Sequence, residues 1–403
     1  MIEVTENLTN LIPNFKELLQ YNYVIYAILD KSLKGRVFVD QLPNPRVVVA
    51  WDNTDDSGLY LEGPYSSTIA KKINQLIVSD IIPTAIKLDE SKDMTCCFAP
   101  HDVWIDHMEE EIFKDVPVRH DTRKFFHFEK GKNTILNWKN EFPHHFSVIY
   151  YDGLQKEAKS WSGESINLFD FEGFDKIEPL LSNSKDPFAC CIIDKEQKKI
   201  IARVFTDWNS TNFVETGIQT AEEYRKQGLG SRCAAAMLEF ACYRGYKHIG
   251  WHCWSENVGS AKTALRAGFE FERNHSVFHL WYNQFDNLML HLDHLNDEED
   301  GKNTIDVYRI LENHISSNSQ AYQTSFFRSQ PYYERWITHM KLVSCGNAGE
   351  DDAAIEALNK LRELKVENLP GVIENLRKKI WNKGLWENSK WKELITSIES
   401  TEN

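Results

Sequence analysis

The sequence predicts an α+β protein, in which a mixed sheet is flanked by helices and followed by a C-terminal α-helical domain. Three observations support this fold class. Short β-type runs lead into a helical pattern near the N-terminus, the same order returns near the middle of the chain, and the last part carries apolar side chains at helical spacing. A chain of 403 residues is too long for one core, so two or three domains are expected.

Residues 1–145 are expected to form an N-terminal α/β lobe. A helical pattern from Asn14 runs into an apolar segment, Tyr23–Leu29, which is predicted to be a strand. Turn residues then separate three short β-type runs from a helical pattern, and in order these are Arg36–Val39, Val47–Trp51, Leu59–Leu61 and Ser66–Val78.

Residues 146–295 are expected to form a second lobe, which repeats this order. After a strand at Phe146–Tyr151 and a helix at Ser160–Phe174, hairpin strands lead through a basic loop into a helix, a strand and a further helix. The predicted elements are Cys190–Asp194, Ile200–Thr206, Phe213–Thr220, the loop Arg225–Gly230, Ser231–Tyr243, His248–Trp254, a helix closing on Gly268–Phe269, Val277–Trp281 and Asp286–His294. This repeated order of strands and helix predicts a tandem pair of related lobes.

Residues 304–403 are expected to form a helical accessory domain, reached through a polar linker at Asn296–Asn303. Pro331 is expected to kink or split one of its helices. The predicted helices are Ile305–Ile315, Ala321–Lys341, Asp352–Leu364, Leu369–Asn382 and Lys390–Ile398. Such antiparallel helix pairs are similar to tetratricopeptide-type hairpins. They could bind a protein partner, form a dimer contact or cover an active site.

Composition excludes several classes of function. The net charge of −14 argues against nucleic acid as a partner, because phosphates would be repelled, and it permits a cationic amine. No apolar run is long enough to span a membrane and no signal peptide begins the chain, so a cytoplasmic protein is expected. The eight cysteines show no C-x-x-C spacing, and the histidines of the segment Phe98–His145 lack the i, i+4 spacing of helical zinc motifs. No metal is expected.

The loop Arg225–Gly230 has the character of a phosphate site. Glycine lets a backbone approach a ligand closely, and the start of the helix that follows carries unpaired N–H groups with about half a positive charge. Arg225 and Lys226 add full charges. The loop is no P-loop, which needs Gly-x4-Gly-Lys-Ser/Thr, and no dinucleotide fingerprint, because Cys233 stands where a third glycine is required. An ordinary helix start with a glycine turn is the alternative.

Two motifs in this part of the chain resemble those of the GNAT superfamily of acetyl-CoA-dependent N-acetyltransferases. Tyr224-Arg225-x-x-Gly228-x-Gly230 is similar to the family's pyrophosphate-binding signature. Trp254-Ser-Glu-Asn257-x-x-Ser260, followed by Gly268-Phe269, is similar to the motif that meets the pantetheine arm. Together with Glu215-x-x-Ile218-x-Thr220, these motifs look most like the two-lobed bacterial group that includes the zwittermicin self-resistance acetyltransferase. The specific resemblance covers Phe188–Tyr282.

The resemblance implies transfer of an acetyl group from acetyl-CoA to a primary amine of a small molecule, which could be an amino-bearing antibiotic. Gly63-Pro64-Tyr65 stands where the first lobe would need a pyrophosphate loop, so only the second lobe is expected to bind CoA. The cofactor-binding residues that the resemblance implies are Ile218, Gln219, Thr220, Arg225, Lys226, Gln227, Gly228, Leu229, Gly230, Ser231, Asn257 and Ser260.

The same resemblance implies catalytic roles. An alkyl ammonium has a pKa near 10, so a base must remove a proton before attack, and Glu215 stands where some family members have a catalytic glutamate. The backbone amides of Gly217–Thr220 would polarise the thioester carbonyl. The tyrosine that usually protonates the leaving thiolate is replaced by Ala264. Tyr282, His252 or Cys253 could be this proton donor, with Tyr282 as the first candidate, or the thiolate could leave unassisted.

Two other functions stay open at this stage. The chain could be a non-catalytic acyl-CoA sensor or scaffold whose helical domain binds a partner, which the missing tyrosine favours weakly. It could also acetylate the N-terminus of a protein or peptide.

Overall fold

The computed structural model describes residues 1–54, 57–89, 91–139, 142–176, 181, 184–297, 304–366, 369–380 and 382–400. The chain divides into two units. One is built from Met1–Ile77, Met94–Ile112 and His120–His279, and the other from Val78–Asp93, Phe113–Arg119 and Leu280–Asn403. The linker predicted at Asn296–Asn303 falls largely on residues 298–303, which lie outside the described residues. The domain boundaries therefore remain a prediction.

The strands of the described residues form one mixed sheet. In chain order they are β1 Ile2–Val4, β2 Gly35–Val39, β3 Val48–Asp52, β4 Gly58–Glu62, β5 Asp93–Ala99, β6 Arg119–Glu129, β7 Phe146–Asp152, β8 Glu157–Ser160, β9 Ser165–Ile166, β10 Phe188–Asp194, β11 Lys199–Asn209, β12 Phe213–Thr220, β13 His248–Trp254 and β14 Glu270–Trp281. Their order across the sheet is β1-β2-β3-β4-β5-β14-β6-β13-β12-β11-β10-β7-β8-β9.

The sheet contains the same local topology twice. Antiparallel strands β1 to β4 end in a parallel pair of β4 with β5, and antiparallel β10 to β12 end in a parallel pair of β12 with β13. The two halves interlock, since β14 lies beside β5 and β6 lies beside β13. This order agrees with the repeated pattern of the sequence. A common origin of the two lobes stays a prediction.

The two parallel pairs differ in one respect that matters for ligand binding. The β4–β5 pair runs the whole length of β4, from Gly58 opposite Thr95 to Glu62 opposite Ala99. The β12–β13 pair covers only Phe213–Glu215, and the strands separate beyond it, although both continue. A fork therefore opens between β12 and β13 and has no counterpart between β4 and β5.

Helices follow the strands for reasons visible in the sequence. Ser66 caps the helix after β4, because its hydroxyl accepts a hydrogen bond from the backbone N–H of Ile69 at 3.3 Å. The helix after β12 packs its apolar face, including Ala234–Ala236, into the core, where Phe240 contacts Phe188 of β10 edge to face. In this first unit the helices are α1 Val24–Leu29, α2 Ser67–Leu76, α4 His101–His107, α5 Leu229–Tyr243 and α6 Val258–Ala267, and α3 Ile82–Leu88 belongs to the other unit.

The second unit is helical. Its core buries Phe285, Leu311, Met340 and Trp391, and Pro331 separates two of its helices, as predicted. Its further helices are α7 Gln284–Asp297, α8 Thr304–Ser316, α9 Gln320–Gln323, α10 Tyr333–Ala348, α11 Asp351–Glu363, α12 Leu369–Lys379, α13 Lys383–Glu387 and α14 Ser389–Glu399. A tetratricopeptide-type repeat stays a prediction. Among the described residues, no helix combines the length and the apolar character needed to cross a membrane.

Two predictions of secondary structure were wrong. Tyr23–Leu29 is helix α1 rather than a strand, because five of its six helical residues are buried and an all-apolar run shows no periodicity. Ser160–Phe174 is not a helix. Its first part turns at Gly163, where φ is 89°. The Ser160 N–H donates a hydrogen bond to the Glu164 carbonyl at 2.7 Å, and this turn joins the paired strands β8 and β9.

Candidate active site

The start of α5 carries the donors of an anion site. Gly228 has a φ of 78°, a left-handed conformation that glycine adopts without strain, and helix α5 begins at the next residue. The Arg232 N–H makes the first helical bond, to the Gly228 carbonyl at 3.2 Å. Because helix geometry gives the N–H groups before Arg232 no carbonyl of their own helix, they are available to an anion, and the helix dipole adds positive potential.

A cavity of about 980 Å³ lies beside this helix start. Among the described residues, this cavity is lined by six basic side chains and one acidic side chain, Glu172. In a chain of net charge −14 this is a local reversal of charge, which favours a polyanionic ligand. The basic residues are Lys199, Arg203, Arg225, Lys226, Lys262 and Arg266.

The structure brings together almost all of the residues predicted to bind the cofactor. Gln227 is the exception, because its side-chain amide donates to the Glu223 carbonyl at 3.3 Å and the residue does not line the cavity. The residues that line it as predicted are Ile218, Gln219, Thr220, Arg225, Lys226, Gly228, Leu229, Gly230, Ser231, Asn257 and Ser260.

Four basic residues that line this cavity were not among the predicted ones, namely Lys199, Arg203, Lys262 and Arg266. Lys262 and Arg266 lie four positions apart on α6, so they share one helix face, and this spacing was the signal that could have found them.

Asn257 and Ser260 have structural roles as well as a place in the cavity. The Asn257 side-chain oxygen caps α6 by accepting the Ser260 N–H at 3.0 Å. The Ser260 hydroxyl in turn accepts the indole N–H of Trp251 at 3.0 Å. The cap uses the amide oxygen of Asn257, so its amide nitrogen is the group that can donate to a ligand.

A second cavity, of about 380 Å³, lies at the fork between β12 and β13. It shares Ile218, Asn257 and Ser260 with the first cavity, so the two are neighbours. Its other walls come from both lobes. The first lobe contributes residues of α1, the β3–β4 turn, β4, β5 and β6, among them Tyr23, Ser57, Tyr60, Thr95, Cys97 and Arg123, and the second lobe contributes residues of β11 to β13, among them Asp207, Glu215 and His252.

Glu215 and His252 form a buried pair at the point where the fork opens. The His252 Nδ1 and a Glu215 carboxylate oxygen are 2.9 Å apart, and the side chains are 11% and 8% exposed. Because a carboxylate only accepts hydrogen bonds, the Nδ1 of His252 is the donor in this contact. Gly250 makes room for the pair, since a Cβ there would lie 2.1 Å from a Glu215 oxygen.

Two further titratable groups lie against this pair. His275 contacts the His252 ring edge to face at 5.4 Å, and burial, followed by the charge of His252, holds the pKa of His275 well below its ordinary value. Tyr23 lines the second cavity, and burial, followed by the charge of Glu215, raises the pKa of its hydroxyl. His275 is thus neutral and Tyr23 protonated at neutral pH.

The three candidates for the proton donor lie in different places. His252 and Cys253 line the second cavity, and burial raises the pKa of the Cys253 thiol. Tyr282 is buried in the helical unit and lines neither cavity. Ala264, at the position of the usual tyrosine, is buried in α6. Tyr23 is a protonated phenol that sequence reasoning missed, since it lies almost two hundred residues before Glu215.

Comparisons with known proteins were made on sequence and on structure. No curated protein matches the sequence. A GCN5-related N-acetyltransferase-like protein from Streptococcus suis is similar in structure, with 18% identity, a TM-score of 0.48 and coverage of 68% of this chain and 98% of its own. A Drosophila protein has 11% identity, a TM-score of 0.46 and coverage of 69% and 97%. A tandem GNAT protein from the clavulanic acid biosynthesis pathway has 7% identity, a TM-score of 0.40 and coverage of 70% and 98%.

The family itself is shown by sequence. Residues 13–278 of the 403 match the profile of the GNAT acetyltransferase family, which is more than half of the chain. The match includes the two forked strands, the helix start with its basic cavity and strands β2 to β6 of the first lobe. The protein is therefore an acyltransferase that belongs to the GNAT acetyltransferase family.

Proposed function

We propose that the protein transfers the acetyl group of acetyl-CoA to a primary amine of a small molecule. The observation that carries this proposal is the fork at Glu215, which joins a basic cavity on one side to a smaller polar cavity on the other. A donor with phosphates and an acceptor with an amine would each have a site, and the two sites meet at a buried carboxylate.

The basic cavity is the proposed site of acetyl-CoA, which the family generally uses. The N–H groups before Arg232 and the side chains of Arg225 and Lys226 would hold the pyrophosphate. Asn257 and Ser260 lie on the way from the helix start to the fork, where they would meet the pantetheine arm. The volume of about 980 Å³ is at the upper end of the range for cofactor pockets, which supports a ligand of this size.

Glu215 and His252 are proposed to act together as the base. The acceptor amine arrives as an ammonium ion, and its proton must leave before its lone pair can attack. Glu215 would take this proton, directly or through a water molecule, and its hydrogen bond to His252 would steady the carboxylate. The lone pair then attacks the thioester carbon and forms the C–N bond of a tetrahedral intermediate. When this intermediate collapses, the C–S bond breaks, the sulfur leaves with the electron pair of that bond, and the nitrogen loses its second proton, which balances the proton taken up by the thiolate.

The backbone of β12 is proposed to stabilise the charge that develops on the thioester oxygen. Beyond Glu215 no described strand pairs with the edge of β12 that faces β13, so those backbone amides of Gly217–Thr220 that do not face β11 can point into the gap. An oxyanion donor of this kind contributes about 3 kcal/mol to transition-state stabilisation.

The leaving thiolate needs a proton, and the donor is proposed among the groups at the second cavity. His252 and Cys253 line that cavity and Tyr282 does not, so we favour the first two over Tyr282. Tyr23 adds a protonated hydroxyl to the same wall.

The second cavity supports a small polar acceptor. Its volume of about 380 Å³ is that of a small-molecule site, and its walls carry hydroxyl, carboxylate and guanidinium groups. An amino-bearing polyol of the antibiotic type, for which acetylation would be self-resistance or detoxification, matches this chemistry. Acetylation of a protein N-terminus is the second candidate, and an acyl-CoA sensor without turnover is the third.

The test is thiol release from acetyl-CoA by the full chain, measured over amino sugars, polyamines, aminopolyol antibiotics and peptides with free N-termini. The proposal predicts release that depends on one small-molecule class and exceeds hydrolysis in its absence. Release only with peptides would favour the second candidate. Tight acetyl-CoA binding without release under any acceptor would favour the sensor and contradict the proposal.

A further inference from the structure

Two histidines and a glutamate meet on one face of the sheet beside the fork. In the β6–β13 pair His248 lies opposite Glu129, and Gly250 lies opposite His127. Residues two apart on a strand share a face, so all three side chains project to the same side. The His127 Nε2 and His248 Nδ1 are 3.3 Å apart, and one ligand atom from each of the three residues lies within 4.8 Å of the others.

We propose that His127, Glu129 and His248 bind a first-row transition-metal ion, with Zn²⁺ as the representative. Two imidazole nitrogens and one carboxylate oxygen form a donor set that suits Zn²⁺ and disfavours Ca²⁺ and Mg²⁺, which prefer all-oxygen ligands. The site lies apart from the acyl-transfer groups, since neither cavity is lined by any of the three residues.

The distance between the two imidazole nitrogens supports this assignment. The two nitrogens, 3.3 Å apart, are within hydrogen-bond reach of each other, so a metal ion would replace this contact. Two nitrogens on one tetrahedral Zn²⁺, each at about 2.0–2.1 Å, are about 3.3–3.4 Å apart. The rings are therefore already spaced as two ligands of one ion.

Aromatic neighbours fix the orientation of both rings. Phe213 stacks on His248 with ring centroids 4.9 Å apart, and Tyr23 contacts His127 edge to face at 5.8 Å. Both histidines are partly buried. Ligands that are held before the metal arrives lose little conformational freedom on binding, which raises affinity.

Lys132 would compete with the metal ion for the Glu129 carboxylate. Its ammonium pairs with the Glu129 carboxylate at 2.7 Å. The Lys132 side chain is 72% exposed, and an exposed pair of this kind stabilises a fold only weakly. Metal binding would displace Lys132 into solvent, and a rotation of the 27% exposed Glu129 side chain would bring its oxygen to the ion.

The ion would join β6 to β13 at His248, two residues before Gly250, which is the strand partner of Glu215. His248 pairs with Phe213 at the closed end of the fork, and β13 carries His252 further along. A metal bridge here would stabilise the sheet at the point from which the fork opens. Binding to the folded chain alone raises the melting temperature as the metal concentration rises.

The test is isothermal titration of the full chain with Zn²⁺, without affinity tags or added thiols. A Cys242→Ser background removes the one cysteine of the eight that is not fully buried. We expect one Zn²⁺ per chain. Loss of a supporting partner around a metal ligand costs about 10–100-fold in affinity, so His127→Gln and His248→Gln should each weaken binding by at least about tenfold. The exposed His144→Gln should leave it unchanged.

Two variants, one at the half-buried Glu129 and one at the exposed Lys132, keep the test decisive if a histidine variant fails to fold. Glu129→Gln should weaken Zn²⁺ binding, and Lys132→Met should strengthen it, because the competing ammonium is gone. A melting-temperature rise with Zn²⁺ should follow the same order. The absence of stoichiometric Zn²⁺ binding, or an affinity that none of these substitutions changes, would overturn the proposal.

Discussion

At the scale of single residues, the chemistry depends on the surroundings of Glu215. Its carboxylate is buried, 2.9 Å from the His252 Nδ1, and lies over Gly250, where any side chain would collide with it. A carboxylate in this setting has a fixed position and a defined contact with His252. These are the properties that a general base at the opening of the fork requires.

Replacing Glu215 by Gln tests this role. The amide keeps the shape of the side chain and can still bond to His252, but it cannot take a proton. We expect turnover with the best amine of the panel to fall by about 10²–10⁴-fold, while the affinity for acetyl-CoA changes little. Steady-state kinetics and calorimetry on the same samples measure both. The exposed Glu256→Gln is the matched control, and an unchanged rate at saturating amine would remove Glu215 as the base.

His275 predicts how stability depends on pH. Burial lowers its pKa in the folded protein, whereas an unfolded histidine titrates near pH 6.5. The unfolded state thus binds more protons below this pH, so the free energy of unfolding falls as the pH drops through about 6.5. His275→Phe removes this loss, which amounts to at most about 1.4 kcal/mol per pH unit.

Urea unfolding at pH 7, 6 and 5 measures the effect. We expect the His275→Phe variant to lose less stability than the wild type between pH 7 and pH 5. The exposed His144→Phe should retain the pH dependence of the wild type. Parallel curves for the wild type and His275→Phe would show that His275 takes up its proton as readily in the folded state as in the unfolded one.

At the scale of elements, α6 illustrates how one residue serves fold and site together. Asn257 caps the helix with its amide oxygen and faces both cavities. Asn257→Ala should lower the free energy of unfolding by about 1 kcal/mol, because the cap is lost. Asn257→Asp keeps the capping oxygen and should keep stability, but it removes the amide donor and should weaken acetyl-CoA binding.

Chemical denaturation and calorimetry separate these two effects. If Asn257→Asp binds acetyl-CoA as the wild type does, the residue is a cap alone. If Asn257→Ala is as stable as the wild type, the capping contact does not contribute to stability.

Elements differed in how far the sequence could predict them. Phe213–Thr220 and His248–Trp254 were predicted to the residue, because β-branched and aromatic runs there end at clear turns. Helix α1 was mistaken for a strand, since a short run that is buried on all sides carries no period. The fork between β12 and β13 could be expected only from the family resemblance, because it depends on where pairing stops.

At the scale of the whole molecule, the interlocked sheet brings together residues that are far apart in the sequence. The first lobe lacks a fork of its own, and yet it provides a large part of the second cavity. Tyr23, Arg123 and the pair of His127 with His248 could not be placed by any local pattern. Their positions follow from β6 and β14, which cross between the two halves of the sheet.

The loop that we propose for the cofactor has a local signal in the sequence. Glycines, basic residues and a helix start occur within a few positions of one another, and the structure places almost all of them around one cavity. The additional basic residues come from other elements, Lys199 and Arg203 from β11 and Lys262 and Arg266 from α6. The sequence therefore identifies where the site begins, and the fold determines how far it extends.

The central claim, that the start of α5 binds the pyrophosphate of acetyl-CoA, is tested most directly by calorimetry on two substitutions at Gly228. A side chain there meets no atom within 4 Å, and Asn and Asp tolerate its positive φ about equally, so the two variants differ only in charge. We predict that Gly228→Asp binds acetyl-CoA at least about tenfold more weakly than Gly228→Asn, or about 1.4 kcal/mol. Equal affinities for the two variants would contradict the account.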